Sequence, residues 1–254
     1  VAKNINKKEL RRPDQFVSFW TRASERLGKL IVERKKPVLV GIGVLAGVVT
    51  ATFIFAELRE RAAIRSSQML TRVEKIATAD LAPAEGTAKD DGVPHFKTDK
   101  ERLEAALNEV DAFLAAEPHS QLRREAQLQK AGFLLDLQRP DEAIPVYTEL
   151  LSSRLEGNLR FLAQEGLGYA YEAKGDLDKA LATFATLGDG SGDAKAAGAG
   201  GFYRDRALYH QARIAERKGN PAEAAELYKE VLDKAPTSPL RDEISNRLAV
   251  LEPK

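Results

Sequence analysis

An alanine returns at positions 106, 143, 180 and 224, each time four residues ahead of a bulky side chain: Val110, Tyr147, Phe184 and Tyr228. A second small residue precedes three of these alanines at a constant distance, at Ala131, Gly168 and Ala212. Small residues placed this way let two helices cross at close range, and larger ones would force the axes apart. The bulky residue one turn further on fills the space beside the crossing. Between the two small positions stand Lys174-Gly175-Asp176 in one unit and Lys218-Gly219-Asn220-Pro221 in another. Glycine there ends a first helix in the left-handed conformation, and Asp or Pro opens a second. The chain from about residue 99 onward therefore reads as a series of helical hairpins.

The unit FLAQEGLGYAYEAKGDLDKALATFATL carries Leu167-Gly168, Tyr171, Ala180 and Phe184. Its offsets resemble the tetratricopeptide-repeat pattern L-G-x-x-Y followed by A-x-x-x-F, a helix-turn-helix repeat of 34 residues. The resemblance implies an all-α solenoid of stacked hairpins with a C-terminal capping helix. It places repeats at 124–157, 161–187 and 205–236, and a partial repeat at 99–118 whose first helix is lost to the preceding linker. Pro145 departs from the pattern near the start of a second helix. A final helix, 238–251, with Leu240, Ile244, Leu248 and Leu251 covers the open end, as terminal repeats require. The alanine intervals are 37, 37 and 44 residues, and the excess falls between repeats, most of it in the glycine-rich loop 188–201.

In repeats of this kind the first helices line a concave binding face. The candidate partner-binding residues by position are Leu128, Leu135, Glu165, Tyr169, Glu172, Arg206, Tyr209, Arg213 and Arg217, with Glu125 beside them. Tyr and Arg are frequent anchors of protein interfaces. The carboxylate clamp of chaperone-binding relatives is missing, because its Lys and Asn positions hold Leu128 and Gly132.

A different pattern governs the N-terminal quarter. Residues 37–56, PVLVGIGVLAGVVTATFIFA, contain no charge, and as a helix they match the hydrocarbon thickness of a bilayer. Residues 1–36 hold eleven Lys/Arg against four Asp/Glu, while 57–254 hold 28 against 34. The positive-inside rule then keeps the leader cytoplasmic and puts 57–254 across the membrane. A cleaved signal peptide fits less well, because no A-x-A-like site precedes the charged run ELRER. Gly43 and Gly47 form G-x-x-x-G, a spacing that lets membrane helices pack closely and could support a homodimer, although glycine is common in membrane helices in any case. Phe16, Phe19, Trp20, Ala23, Leu27, Leu30 and Ile31 recur at helical spacing in the leader, with Arg22, Arg26 and Lys29 elsewhere on the wheel. That pattern suits an anionic leaflet or a docking helix for a partner. Residues 57–81 read as a helical stalk and 82–98 as a linker.

Nothing in the sequence points to catalysis or a cofactor. There is no Cys, and His95, His119 and His210 lie far apart, so no metal spacing arises. The loop GDGSGD lacks the Lys-Ser/Thr of a phosphate cradle, and Gly200 stands where a calcium loop carries its Glu. Carboxylates are expected on solvated helix faces, with no setting that shifts a pKa. Nothing in the leader resembles a nucleic-acid reading module.

The whole layout, a basic leader, one membrane helix near residue 40 and a repeat domain, resembles the ancillary Sec-translocon subunit family of bacteria. That resemblance implies an inner-membrane protein with periplasmic repeats, whose partners are translocon subunits, chaperones or exported polypeptides. The alternative is a structural subunit of a cell-envelope machine for division, secretion or motility.

Overall fold

The computed structural model describes residues 15–33, 35–81, 95–153, 155, 157–188 and 202–251. It divides into two compact units, Val1–Arg61 and Ala62–Lys254. The start of the leader, most of the linker and the loop at 189–201 lie outside the described residues.

The first unit holds α1 (Gln15–Glu33) and the start of α2 (Lys35–Ala77). α2 is long and apolar enough to cross a membrane, and its apolar window is entirely exposed. Leu39, Ile42, Phe53 and Phe55 are among the exposed side chains.

Apart from one isolated bridge between Leu81 and Phe96, the regular structure described in the second unit is helical: the end of α2, then α3 (Asp99–Ala116), α4 (Arg123–Asp136), α5 (Pro140–Ser152), α6 (Gly157–Lys174), α7 (Leu177–Gly188), α8 (Phe202–Arg217), α9 (Pro221–Lys234) and α10 (Arg241–Leu251). Successive helices from α3 to α10 pack on one another, and α4 also touches α6. This is the stacked-hairpin arrangement that the alanine spacing requires. Ala106, Ala143, Ala180 and Ala224 are all fully buried. A Cβ on Gly168 would come closer than 3.0 Å to the Phe184 ring, so hydrogen is the largest group that fits there. Gly166 plays the same part against Tyr147 of the preceding repeat, a role the repeat pattern alone does not suggest.

The turns follow one geometry. At Gly175 (φ +88°) the Asp176 amide donates to the Tyr171 carbonyl at 2.9 Å. At Gly219 (φ +80°) the Asn220 amide donates to Ala215 at 3.0 Å. The equivalent turn between α4 and α5 uses Gln138 at φ 59°, with the Arg139 amide donating to Leu134 at 2.8 Å. A residue with a Cβ thus occupies a left-handed position that its two counterparts give to glycine.

Three expectations are corrected. The partial repeat does not lack its first helix, because the stalk supplies it. Leu70 and Val73 join Leu107, Val110 and Phe113 in one core cluster, and Ile76 and Ala79 are buried too. Ser66 donates to Glu117 at 3.2 Å, Arg65 pairs with Glu117 at 2.7 Å, and Arg102 caps the Ala79 carbonyl at 3.0 Å. The helical stalk of 57–81 is therefore split: α2 ends at Ala77, and its last turns belong to the repeat domain, whose start moves from 99 to 62. The physical reason is that an unroofed α3 would leave Val110 and Phe113 in water. Second, Pro145 lies inside α5 (Pro140–Ser152) and further in than a place near its start. It deletes one bond, to the carbonyl of Asp141, which is exposed and can turn to water. Third, the closing helix begins at Arg241, because Ser238 first makes a turn in which its hydroxyl bonds Asp205 and accepts from the Leu240 amide at 3.3 Å. Ile244 is its one fully buried apolar side chain, while Leu240, Leu248 and Leu251 are half-buried against the same cluster.

Candidate functional site

Spacing along α6 and α8 builds the site. Glu165 and Glu172 stand two turns apart on one face of α6, and Arg206, His210, Arg213 and Arg217 recur at steps of four, three and four on α8. The stack brings these two stripes together. Arg206 bonds Glu165 at 2.8 Å, and His210 Nε2 reaches the same carboxylate at 2.9 Å. Arg213 grips Glu172 with two bonds of 2.5 and 2.6 Å, and Arg217 adds a third at 2.7 Å. Both carboxylates are buried. A buried carboxylate is tolerated only when paired and hydrogen-bonded, and here each has at least two donors.

Burial pushes the Glu165 carboxyl up, but the bonds from His210 and Arg206 outweigh it and hold the group below the ordinary carboxylate range. Glu172 is likewise pushed up by burial and held down on balance by Arg213 and Arg217. The expectation that every carboxylate is solvated and unshifted is thus overturned. It failed because the pairing partners lie about forty residues away in sequence.

His210 is 1% exposed and sits against the Phe184 ring in a stacked contact of 4.4 Å, with Tyr169 and Tyr209 edge-on at 5.2 and 5.4 Å. Its Nδ1 has no hydrogen-bond partner among the described residues. Burial drives its pKa below the ordinary value, and the bond to Glu165 only partly opposes this. The stable form is therefore neutral, with Nε2–H donated to Glu165. Arg213 lies over the faces of Tyr169 and Phe184, at 5.3 and 5.9 Å from the ring centres.

The nine residues expected to offer themselves to a partner thus have mixed fates. Glu165, Glu172 and Tyr209 are buried, and the Tyr209 hydroxyl is donated to Glu243 of α10. Leu128 and Leu135 are half-buried against the first core cluster. Tyr169 is half-buried between Phe184 and His210. Arg206, Arg213 and Arg217 keep some exposure, with side chains 30%, 20% and 48% accessible. What remains outward on this part of the stack is the rim of guanidinium groups. His210 was not singled out from the sequence, although its step of four from Arg206 was a usable signal. Gly43 and Gly47 lie on the exposed stretch of α2, where a Cβ at either would meet nothing within 4 Å. Among the described residues, no group of three or more His, Asp or Glu is placed to hold a metal ion.

A family model for the tetratricopeptide repeat matches residues 99–155, 128–194 and 195–239, together more than half of the 254 residues. The chain belongs to the tetratricopeptide-repeat family. Among solved structures, this repeat protein is similar to a tetratricopeptide repeat protein from Parabacteroides merdae, with 20% identity over 60% of this chain and a TM-score of 0.45. It spans 55% of that protein's length. It is also similar to the TPR-like repeats of a putative kinesin light chain from Podosopora anserina, with 18% identity over 59% of this chain and 78% of that one and a TM-score of 0.47. No curated protein sequence matches it. In tetratricopeptide-repeat terms, the ion pairs join the first helices of the last two repeats. They supply the contact that apolar residues make between α4 and α6.

Proposed function

We propose that this protein is a membrane-anchored scaffold, with α2 as its anchor and the repeats as its protein-binding part. The observation that carries the reading is an entirely exposed apolar stretch in the same chain as a tetratricopeptide-repeat stack. Apolar side chains such as Leu39, Ile42 and Phe53 left in water over this length would drive aggregation, whereas a bilayer covers them. The charge difference across that stretch favours a cytoplasmic leader and a stack on the opposite side, the periplasm of a bacterial envelope. There the stack binds proteins and performs no reaction of its own. Translocon subunits, chaperones or exported polypeptides are the partner class that this layout suits best.

Protease added to spheroplasts tests the topology, and digestion of 57–254 is expected. Protection of that portion until lysis reverses the orientation. Cross-linking in native membranes followed by mass spectrometry tests the partner class. Recovery of translocon subunits or chaperones supports it, and recovery of one stoichiometric envelope complex without them refutes it.

A further inference from the structure

α1 lies in the first unit and is the most strongly amphipathic helix described. Phe19 and Trp20 are 64% and 58% exposed, with their rings edge-on at 6.1 Å. Both lie on the apolar arc of the helical wheel with Ala23, and Arg22, Arg26 and Lys29 are exposed beside that arc. From residue 15 to 36 the chain holds six Lys/Arg against two Asp/Glu, and one residue separates α1 from α2. We propose that α1 lies along an anionic lipid surface, its aromatic pair at headgroup depth and its cations on the phosphates. The proposal rests on the anchor role of α2 and adds a lipid class to it.

Two features select lipid over a protein partner. The helix joins an aromatic pair to a row of cations, and an anionic leaflet offers both an apolar layer and negative charge at the matching depths. The helix also ends directly before the apolar stretch of α2, where the chain must already be at the membrane surface if α2 crosses it. Tethering there raises the effective concentration of lipid around α1, so modest intrinsic affinity suffices.

Trp20 is the only tryptophan in the chain, so the full-length protein carries its own depth reporter. It is reconstituted into vesicles of phosphatidylcholine alone and into vesicles with added phosphatidylglycerol, each with brominated acyl chains as quencher. Emission is expected to shift to the blue and to be quenched in the anionic vesicles, and much less in the neutral ones. Arg22→Glu, Arg26→Glu and Lys29→Glu together should abolish the quenching without releasing the protein. Quenching that is absent in anionic vesicles, or equal in both kinds, overturns the proposal. Carbonate extraction of the same vesicles reads the anchor separately: release of wild-type protein sinks the membrane-spanning role of α2, whereas retention with unquenched Trp20 sinks only the role of α1.

Discussion

Replacing Glu172 by Gln should unfasten the last repeat and the closing helix from the rest of the stack. The substitution keeps the shape of the side chain and removes the charge that Arg213 and Arg217 share. Removing one partner of a buried ion pair costs about 3–5 kcal/mol, because the other charge is left without compensation. Here the cost is lower, about 2–3 kcal/mol, since Arg217 is half in solvent and a Gln amide oxygen still accepts one hydrogen bond. A change of that size multiplies a local opening constant roughly 30- to 150-fold. Repeat stacks add up from units and neighbour contacts, so the loss should be local. Hydrogen exchange with mass spectrometry on the full chain in detergent reads it directly. Amides of α8, α9 and α10 should lose protection by that factor, while α3, α4 and α5 keep theirs. Glu172→Leu with Arg213→Leu should recover more than half of the loss, because an apolar pair of that kind avoids the desolvation cost. A loss under about threefold in α8–α10, or an equal loss across α3–α5, would refute the assignment of the ion pairs as the joint.

The same joint should respond to acid. His210 has a folded-state pKa below its ordinary 6.5, so the unfolded chain binds the extra proton first. Stability from neutral His210 is complete above about pH 6.5 and falls as the pH drops below it; Glu165 and Glu172, held below 4.5, add a second loss only at lower pH. Thermal melts between pH 7 and 5 should therefore slope in the wild type and flatten in His210→Phe, and an unchanged slope would exclude His210 as the cause. Gln138→Gly should raise stability by about 1 kcal/mol by relieving a left-handed backbone, as read from urea midpoints, whereas Gly175→Ala should lower it by a similar amount. Gly168→Val should cost roughly 1–3 kcal/mol through overlap with the Phe184 ring. Adding Phe184→Leu should return part of that in the same assay, and no recovery would mean the crossing is not what fixes the glycine.

Much of the repeat stack was legible because crossing helices leave so little choice of residue. Gly168 and the four alanines have no tolerated alternatives of ordinary size, and their spacing is local. The missing first helix was not legible. Val73 and Ile76 continue the periodicity of an apolar segment, and a long interval separates them from α3, where the other hairpins turn within a few residues. The turn at Gln138 carried no glycine to announce it. The ion pairs were half legible: the positions of Glu165, Glu172, Arg206, Arg213 and Arg217 on the first-helix face followed from repeat register, but their mutual neutralisation depends on how closely α6 and α8 approach. Propensity and periodicity describe one helix at a time, and that distance belongs to two.

On the anchor role proposed for α2, its double use limits how the repeats could ever leave the membrane. Scission anywhere from Ser66 to Ala79 would strip the lid from Val110 and Phe113, and the released fragment would expose its own core. On that same role, shedding of an intact stack is confined to the short collar at 57–65, between the uncharged stretch 37–56 and Ser66, the first buried residue. A soluble version for binding studies has to begin in that same collar, about forty residues earlier than the first repeat visible in the sequence.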